Sequence, residues 1–361
     1  MRRMRPVVEL LSDQAPNYYV ISHIYTGLDR LARRGAIRLV VRRSRRDEAD
    51  LLRYDGGLWL KVHPEGGPRP VLLAIDLHDR SESYALKTLA RCDVYFKRSF
   101  RRASIPDVPA EVAARIRPYG LHFPCRSPGS VRRLLRSAGP RLLRQGRPGV
   151  HQIYSALVHP WASEFEQGPE SAVEPTVFFQ TRVWEEENAP GEAESINASR
   201  VALVRALREA FGDRFRGGVL PTPLARERYP DDLTPLPCRA RAYVATARRN
   251  LVGVYSPGLF GSTAFKMAEY LAASQCVVAE PPPEELDAPL VPEANYLPYR
   301  TPEECVRACR RLLDDPDLAR RMRHANHAYY LRHAEPGAHM GRLVTTALGL
   351  RSPDPVAVPA E

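Results

Sequence analysis

Leu251–Glu280 reads LVGVYSPGLFGSTAFKMAEYLAASQCVVAE, and its succession of patterns decides the fold. The apolar, β-branched run Leu251–Tyr255 predicts a buried strand, and Cys276–Ala279 predicts a second one. Between them lie a loop with Pro257, Gly258 and Gly261 and a helix expected over Ser262–Ala273, with Ser262 or Thr263 as its cap. A strand, a helix and a second strand in this order make a parallel crossover unit of an α/β protein. Amides at a capped helix start attract anions, and a diphosphate fits that chemistry. Residues three and four apart share a helix face. Phe265, Ala268, Leu271 and Ala272 are therefore expected in the core, with Ser262, Lys266, Glu269 and Ala273 on the opposite stripe. A cation near a helix N-terminus opposes the dipole unless an anion is bound, which points Lys266 at a phosphate. A carboxylate one turn deeper, Glu269, can accept hydrogen bonds from the two hydroxyls of a ribose. The plainer alternative is a surface ion pair worth about 0.3–0.5 kcal/mol.

The same rhythm runs outward in both directions. Upstream, Val7–Leu11, Ala36–Val41, Leu58–Val62, Val71–Leu77 and Val94–Phe96 have strand character. Helices are expected through Ile21, Ile24, Leu28 and Leu31 and around Ser81–Ala90. A parallel sheet covered by helices accounts for this alternation. The polar stretch Ser163–Pro175 interrupts it, and the pattern restarts with strand Thr176–Gln180, a helix near Ala198–Phe211, a strand near Gly218–Leu220 and a helix near Arg239–Arg248. At 361 residues, two α/β domains are expected. They are residues 1–165 and 176–335 with a linker at 166–175, then a crossover helix 336–350 returning to the first domain, and a disordered tail 351–361. Ligands of such sheets bind beyond the carboxyl ends of the strands.

Composition narrows the function classes. Hydrophobic residues make up 44% and charged residues 26% of the chain, and no apolar run nears the roughly 20 residues of a membrane span. The opening MRRMRPVVELLSDQ reads as a first strand, not an export signal. Six scattered cysteines without metal-ligand spacing fit a reducing cytoplasm, with Cys305 and Cys309 expected in the core. The net charge of +11 favours an anionic partner. The basic residues appear in short clusters in both halves, such as Arg42–Arg46 and Leu318–Arg323, without the focused stripe that nucleic-acid binding needs. No nucleic-acid partner is expected, whereas peripheral contact with an anionic membrane at its cytoplasmic face is compatible with the charge.

In the first half, Asp76 and His78 end the strand VLLAIDLH, where an α/β sheet presents groups to its ligand. Either is a candidate base for an acceptor hydroxyl, with Asp13 and His23 as rivals. Lys97 and Arg98 are candidates for a phosphate contact or for simple solvation. No strand-end DxD, GxGxxG or GxxxxGK[ST] motif occurs, so no metal-dependent, ordinary NAD or P-loop chemistry is expected.

Phe265–Ala273 followed by Cys276–Glu280 resembles the donor-binding signature of GT-B glycosyltransferases of the group-one, family 4-like kind, including the spore-maturation CgeB-like branch. That signature reads roughly K-x-x-E-Y-L-A-x-G-x-x-V-V. Lys266, Glu269, Tyr270, Leu271, Ala272, Val277 and Val278 match, and Ser274 stands where the family has Gly. The resemblance implies two Rossmann-like domains facing a cleft, a nucleotide-sugar donor instead of a bound cofactor, and a glycan, lipid-linked or small-molecule acceptor. It also implies that Glu269 holds the donor ribose, that Lys266 lies near the phosphates with Gly258, Gly261, Ser262 and Thr263, and that Arg182 binds the diphosphate. Retaining members carry a Glu eight positions before Glu269, where this chain has Gly261. The alternatives are an epimerase acting on sugar nucleotides and a binding protein of the same fold without activity.

Overall fold

A computed structural model describes residues 5–11, 18–45, 57–64, 69–137, 143 and 146–349. Asp13, Arg46 and the tail 351–361 lie outside the described residues. The chain divides into two compact units, Met1–Ala162 with Glu335–Glu361, and Ser163–Ala334.

Unit 1 is built on six strands: β1 (Val7–Leu11), β2 (Arg38–Arg42), β3 (Gly57–His63), β4 (Val71–Asp76), β5 (Val94–Lys97) and β6 (Ile116–Pro118). Its helices are α1 (Tyr18–Arg33), α2 (Leu86–Arg91), α3 (Ala110–Ala113), α4 (Pro128–Ser137) and α5 (Arg147–Val158). The short α6 (Ala162–Phe165) spans the boundary between the units. The sheet order is β2-β1-β3-β4-β5-β6. The all-parallel expectation fails at β3, which runs antiparallel to β1 and β4. Only residues 64–70 separate β3 from β4, too few for the dozen or more residues of a parallel crossover. The helix expected around Ser81–Ala90 begins only at Leu86.

The last helix of the chain, Pro336–Gly349, joins unit 1 and packs along α1. Gly27 permits this contact, because a Cβ there would stand 2.2 Å from the Pro336 carbonyl oxygen. Ile24, Leu28 and Leu31 of α1 share one core with Met340, Leu343 and Val344. Beside that core three histidines are buried: His23, His122 and His339. His23 Nε2 lies 3.1 Å from His339 Nδ1, and His339 Nε2 lies 2.6 Å from the Tyr119 carbonyl oxygen.

Unit 2 has strands β7 (Glu174–Thr181), β8 (Phe215–Val219), β9 (Asn250–Tyr255), β10 (Cys276–Ala279) and β11 (Leu297–Pro298) in the order β11-β10-β9-β7-β8, all parallel. Its helices are α7 (Ala193–Phe211), α8 (Pro223–Arg228), α9 (Ala240–Ala247), α10 (Lys266–Ala272), α11 (Pro302–Asp314) and α12 (Pro316–Tyr329), which makes Pro336–Gly349 α13. Strand alternation sorts the two faces. Val177 and Phe179 point into the core made with Val201, Val204 and Leu207 of α7, and Phe178 meets Tyr243 of α9 and Tyr270 of α10. Cys305 and Cys309 are core residues on α11, as their spacing suggests. The stretch expected as a linker, 166–175, lies in unit 2. There Glu166 accepts from the Tyr330 hydroxyl at 2.8 Å, and the Gln167 amide donates to the Ala272 carbonyl at 2.9 Å.

Burial holds His23 at a pKa of about 3 and His122 well below the usual range, with the Arg30 and Arg342 charges adding to the effect at His23. A histidine whose folded pKa is depressed stabilises the fold above its unfolded value, and that contribution is lost as the pH falls below it. Unit 1 is therefore expected to lose up to about 1.4 kcal/mol per pH unit for each such histidine as the pH falls below about 6.5. Urea unfolding followed from neutral to mildly acidic pH checks this, and His23→Leu should show a shallower pH slope than the wild type.

Candidate functional site

The strand order of unit 2 reverses direction at β7. The chain moves from β7 to β8 on one side and returns to β9 on the other, so a crevice opens where the β7 and β9 carboxyl ends diverge. Two cations converge on that crevice from opposite faces of the sheet. Arg200, on α7, is only 7% exposed; it donates from Nη1 to the Arg182 carbonyl and from Nη2 to the Pro257 carbonyl, both at 2.7 Å. Arg182 directly follows β7 and Pro257 follows β9, so one guanidinium ties the two strand ends together. Lys266, the first residue of α10, donates to the Gln180 carbonyl at the end of β7 at 2.6 Å and to the Tyr243 hydroxyl at 3.0 Å.

The Tyr243 hydroxyl donates in turn to Glu269 Oε2 at 3.2 Å, and Lys266 Nζ sits 4.6 Å from the centre of the Tyr243 ring. Lys266 and Glu269 are thus joined through a tyrosine from α9. They are neither a surface ion pair nor a solvent-facing stripe. Burial lowers the Lys266 pKa to about 8, opposed by the nearby Glu269 charge, and burial raises that of Glu269. The Arg200 guanidinium is lowered to about 10 by burial, against the pull of Tyr255, Glu280 and Tyr299. A cavity of ≈ 220 Å³ adjoins this point, lined among others by Arg200, Ser256, Gly258, Gly261 and Glu280. Glu280 accepts from the Tyr299 hydroxyl at 3.3 Å, and burial raises its pKa.

The loop before α10 departs from its sequence reading. The helix starts at Lys266, four residues later than expected, and neither Ser262 nor Thr263 caps it. Instead, the Thr263 amide donates to Glu284 Oε2 at 2.8 Å, the Ala264 amide to the Tyr255 hydroxyl at 3.1 Å, and the Phe260 amide to Glu192 Oε2 at 3.1 Å. The Gly258 amide is taken by the Ser262 carbonyl at 2.7 Å. Carboxylates and a hydroxyl occupy amides that were expected to face an anion. Gly261 has φ +66°, in the left-handed region that favours glycine, so a glutamate at this position would be strained. Ser274 has φ +50° just after α10, which explains a glycine at the matching place in the resembling signature. Here the serine holds that conformation with Oγ bonds to the Gln167 carbonyl and His327.

Arg182 contributes its backbone: its carbonyl accepts from Arg200, while its exposed guanidinium lies 5.5 Å from the Trp184 ring centre. In unit 1, Asp76 is buried with both oxygens engaged. Oδ1 accepts from the His78 amide at 2.9 Å, and Oδ2 accepts from the Tyr95 hydroxyl and from Lys97 Nζ at 3.2 Å. Lys97 is wholly buried, and burial lowers its pKa against the pull of Asp76, so neither its solvated reading nor its phosphate reading holds. His78 is exposed, Arg98 pairs with Asp79, and His23 belongs to the histidine cluster. Asp76 is thus a buried partner for Lys97, Tyr95 and the His78 amide.

Arg200, Tyr243 and Glu280 escaped the sequence reading. A polar residue next to the apolar positions Val201, Val204 and Leu207 was the available signal for Arg200, and its meaning depends on the strand order.

Two Rossmann-like units in one chain, with the last helix returned to the first, are the organisation of the GT-B class. Residues 200–344 match the family described as glycosyl transferase-like. No curated protein matches the sequence. Among solved structures, the chain is similar to the C-terminal domain of a glycosyl transferase group 1 family protein (LpcC) from Francisella tularensis, at 13% identity and a TM-score of 0.33, over 51% of this chain and 96% of that one. It is also similar to a putative UDP-N-acetylglucosamine 2-epimerase from Listeria monocytogenes, at 12% identity and a TM-score of 0.40 over 91% and 93% of the two chains. The UDP complex of MnaA from S. aureus aligns at 10% identity and a TM-score of 0.40 over 95% and 96%.

Replacing Arg200 by Leu would leave two carbonyls at the crevice without their donor. Unit 2 is expected to lose about 1–3 kcal/mol, read as a lowered denaturation midpoint. Arg200→Lys, with one ammonium in place of a fork, should recover only part of the loss.

Proposed function

We propose that this protein transfers a glycosyl group from a nucleotide-sugar to an acceptor hydroxyl. The observation that carries the reading is the convergence of Arg200 and Lys266, both within the residues 200–344 that match the glycosyl transferase-like family, on the crevice between β7 and β9. A diphosphate offers both cations stronger acceptors than the carbonyls they hold. Glu269, beneath Lys266, is the acceptor for ribose hydroxyls once the Tyr243 hydroxyl turns away from it. Glu280 stands across the cavity beside Arg200. In the transfer, the bond from the anomeric carbon to the phosphate oxygen breaks and a bond to the acceptor oxygen forms. The cations stabilise charge building on the departing diphosphate, and the hydroxyl proton leaves to that diphosphate or to water. The donor is a co-substrate in this reading, and the acceptor is a glycan, a lipid-linked saccharide or a small molecule. Membership of the CgeB-like branch is part of the proposal and rests on the Lys266–Val278 signature.

A second reading is binding without turnover. It is favoured by Asp76, whose oxygens are both engaged, and by the left-handed Gly261 where retaining relatives place a carboxylate.

The test is thermal stabilisation by UDP-, GDP-, ADP- and dTDP-sugars on the wild type, Lys266→Ala, Glu269→Gln and Arg200→Lys, followed by analysis of the sugar product. At least one donor should stabilise the wild type, and each variant should bind it at least about tenfold more weakly, a loss of about 1.4 kcal/mol. If no donor acts, or the variants respond as the wild type does, the proposal is wrong. Stabilisation without sugar release or transfer would establish the second reading, and an isomerised free sugar would indicate epimerisation.

A further inference from the structure

We infer that α4 and α5 of unit 1 form a docking surface for an anionic membrane. Along α5, Gly149, Ile153 and Ala156 turn to the core of unit 1. Val150, Tyr154, Leu157 and Val158 recur at the spacing of a single helical stripe and are exposed, Val150 to 51% and Tyr154 to 60%. Helix α5 thus carries a second apolar face that none of the described residues of the unit covers. Leu135 on the adjoining α4 and Leu143 between the two helices extend the exposed apolar surface.

Charge selects the occupant. Between Glu111 and Glu164 the sequence has nine arginines and neither aspartate nor glutamate. The rest of the chain holds 44 basic and 42 acidic residues, so the net charge of +11 comes almost entirely from this one segment. Arginines are spread over both halves of the chain, but their excess over acidic residues is not. Of the arginines in that segment, Arg126 is buried and Arg133 pairs with Asp29 at 3.2 Å, whereas Arg132 and Arg136 of α4 and Arg147 at the start of α5, the helix that carries the apolar stripe, are exposed. A second copy of the chain would bring this unbalanced charge against itself. A plane of anionic headgroups would receive the guanidiniums while the apolar side chains enter its edge, with Tyr154 suited to the boundary. No described helix is long and apolar enough to cross a membrane, so this contact lies along the surface.

The experiment is co-sedimentation of the full chain with phosphatidylcholine vesicles, with and without phosphatidylglycerol. Binding is expected only with phosphatidylglycerol, and should weaken as salt is raised. Tyr154→Ser with Leu157→Ser should reduce partitioning at least about tenfold, because the burial of two apolar side chains is lost. Arg132→Glu with Arg136→Glu should do the same through charge. These positions are exposed, so the melting temperature should stay unchanged. Tyr154→Trp provides a second readout, with blue-shifted emission from the added indole on anionic vesicles. The inference fails if the wild type does not sediment with anionic vesicles, if both variants bind as the wild type does, or if the substitutions abolish only self-association. Donor binding is measured separately, so neither result decides the other.

Discussion

A guanidinium keeps its charge at any ordinary pH, so burying one at a strand crest forces its N–H groups to find acceptors. Arg200 finds them in the Arg182 and Pro257 carbonyls, which belong to the segments leaving β7 and β9. The sheet reverses its order between these strands, and their ends would otherwise diverge. Lys266 repeats the device two residue positions earlier, on β7 itself, at the Gln180 carbonyl. Neutral carbonyls satisfy the geometry of these cations but compensate little of their charge. Burial accordingly pushes Lys266 down to about 8 and Arg200 to about 10. An anion entering the crevice would oppose both shifts, which is the electrostatic basis of the proposed donor contact.

Recognition by cations differs from recognition by a helix start. Helix α10 has seven residues and its preceding amides are engaged. Glu192 and Glu284 reach into the loop and accept from the Phe260 and Thr263 amides, so the loop already contains internal anions. They hold Phe260 at φ +58° and Gly261 at φ +66°, a pair of left-handed residues that few loops adopt. The loop is therefore a shaped wall beside Arg200, and the side chains, not the amides, carry the free positive potential.

Periodicity made much of unit 2 legible. The strands Leu251–Tyr255 and Cys276–Ala279 and the burial of Ala268, Leu271 and Ala272 on α10 follow from apolar spacing, whereas Phe265, expected in the core, is half-buried before the helix and Met267 and Tyr270 are buried as well. What lay outside that reach depends on contacts distant in sequence. Arg200 precedes Pro257 by 57 positions, and its role needs the order of β8, β7 and β9. Asp76 looked like a base because it ends a strand; its register opposite Lys97 on β5 makes it half of a buried pair. The expected cap at Ser262 failed for a local reason, since the chain spends Ser262–Phe265 closing the loop before it turns helical. The antiparallel β3 was missed although the signal was local: the stretch between the expected strands Leu58–Val62 and Val71–Leu77 is too short for a crossover helix.

The two units place their positive charge in opposite physical regimes. Arg200 and Lys266 are partly or largely removed from water, where each interacts strongly over a few ångströms and tolerates little displacement of its partner. Arg132 and Arg136 of α4 and Arg147 of α5 stay in water, where each is screened within about a Debye length and contributes weakly. Weak charges become a binding surface only in number and only with an apolar element to hold them close, and the exposed stripe from Val150 to Val158 supplies that element. A change of salt should therefore separate the two behaviours, leaving the buried crevice nearly unaffected while the arginine-rich surface loses its hold.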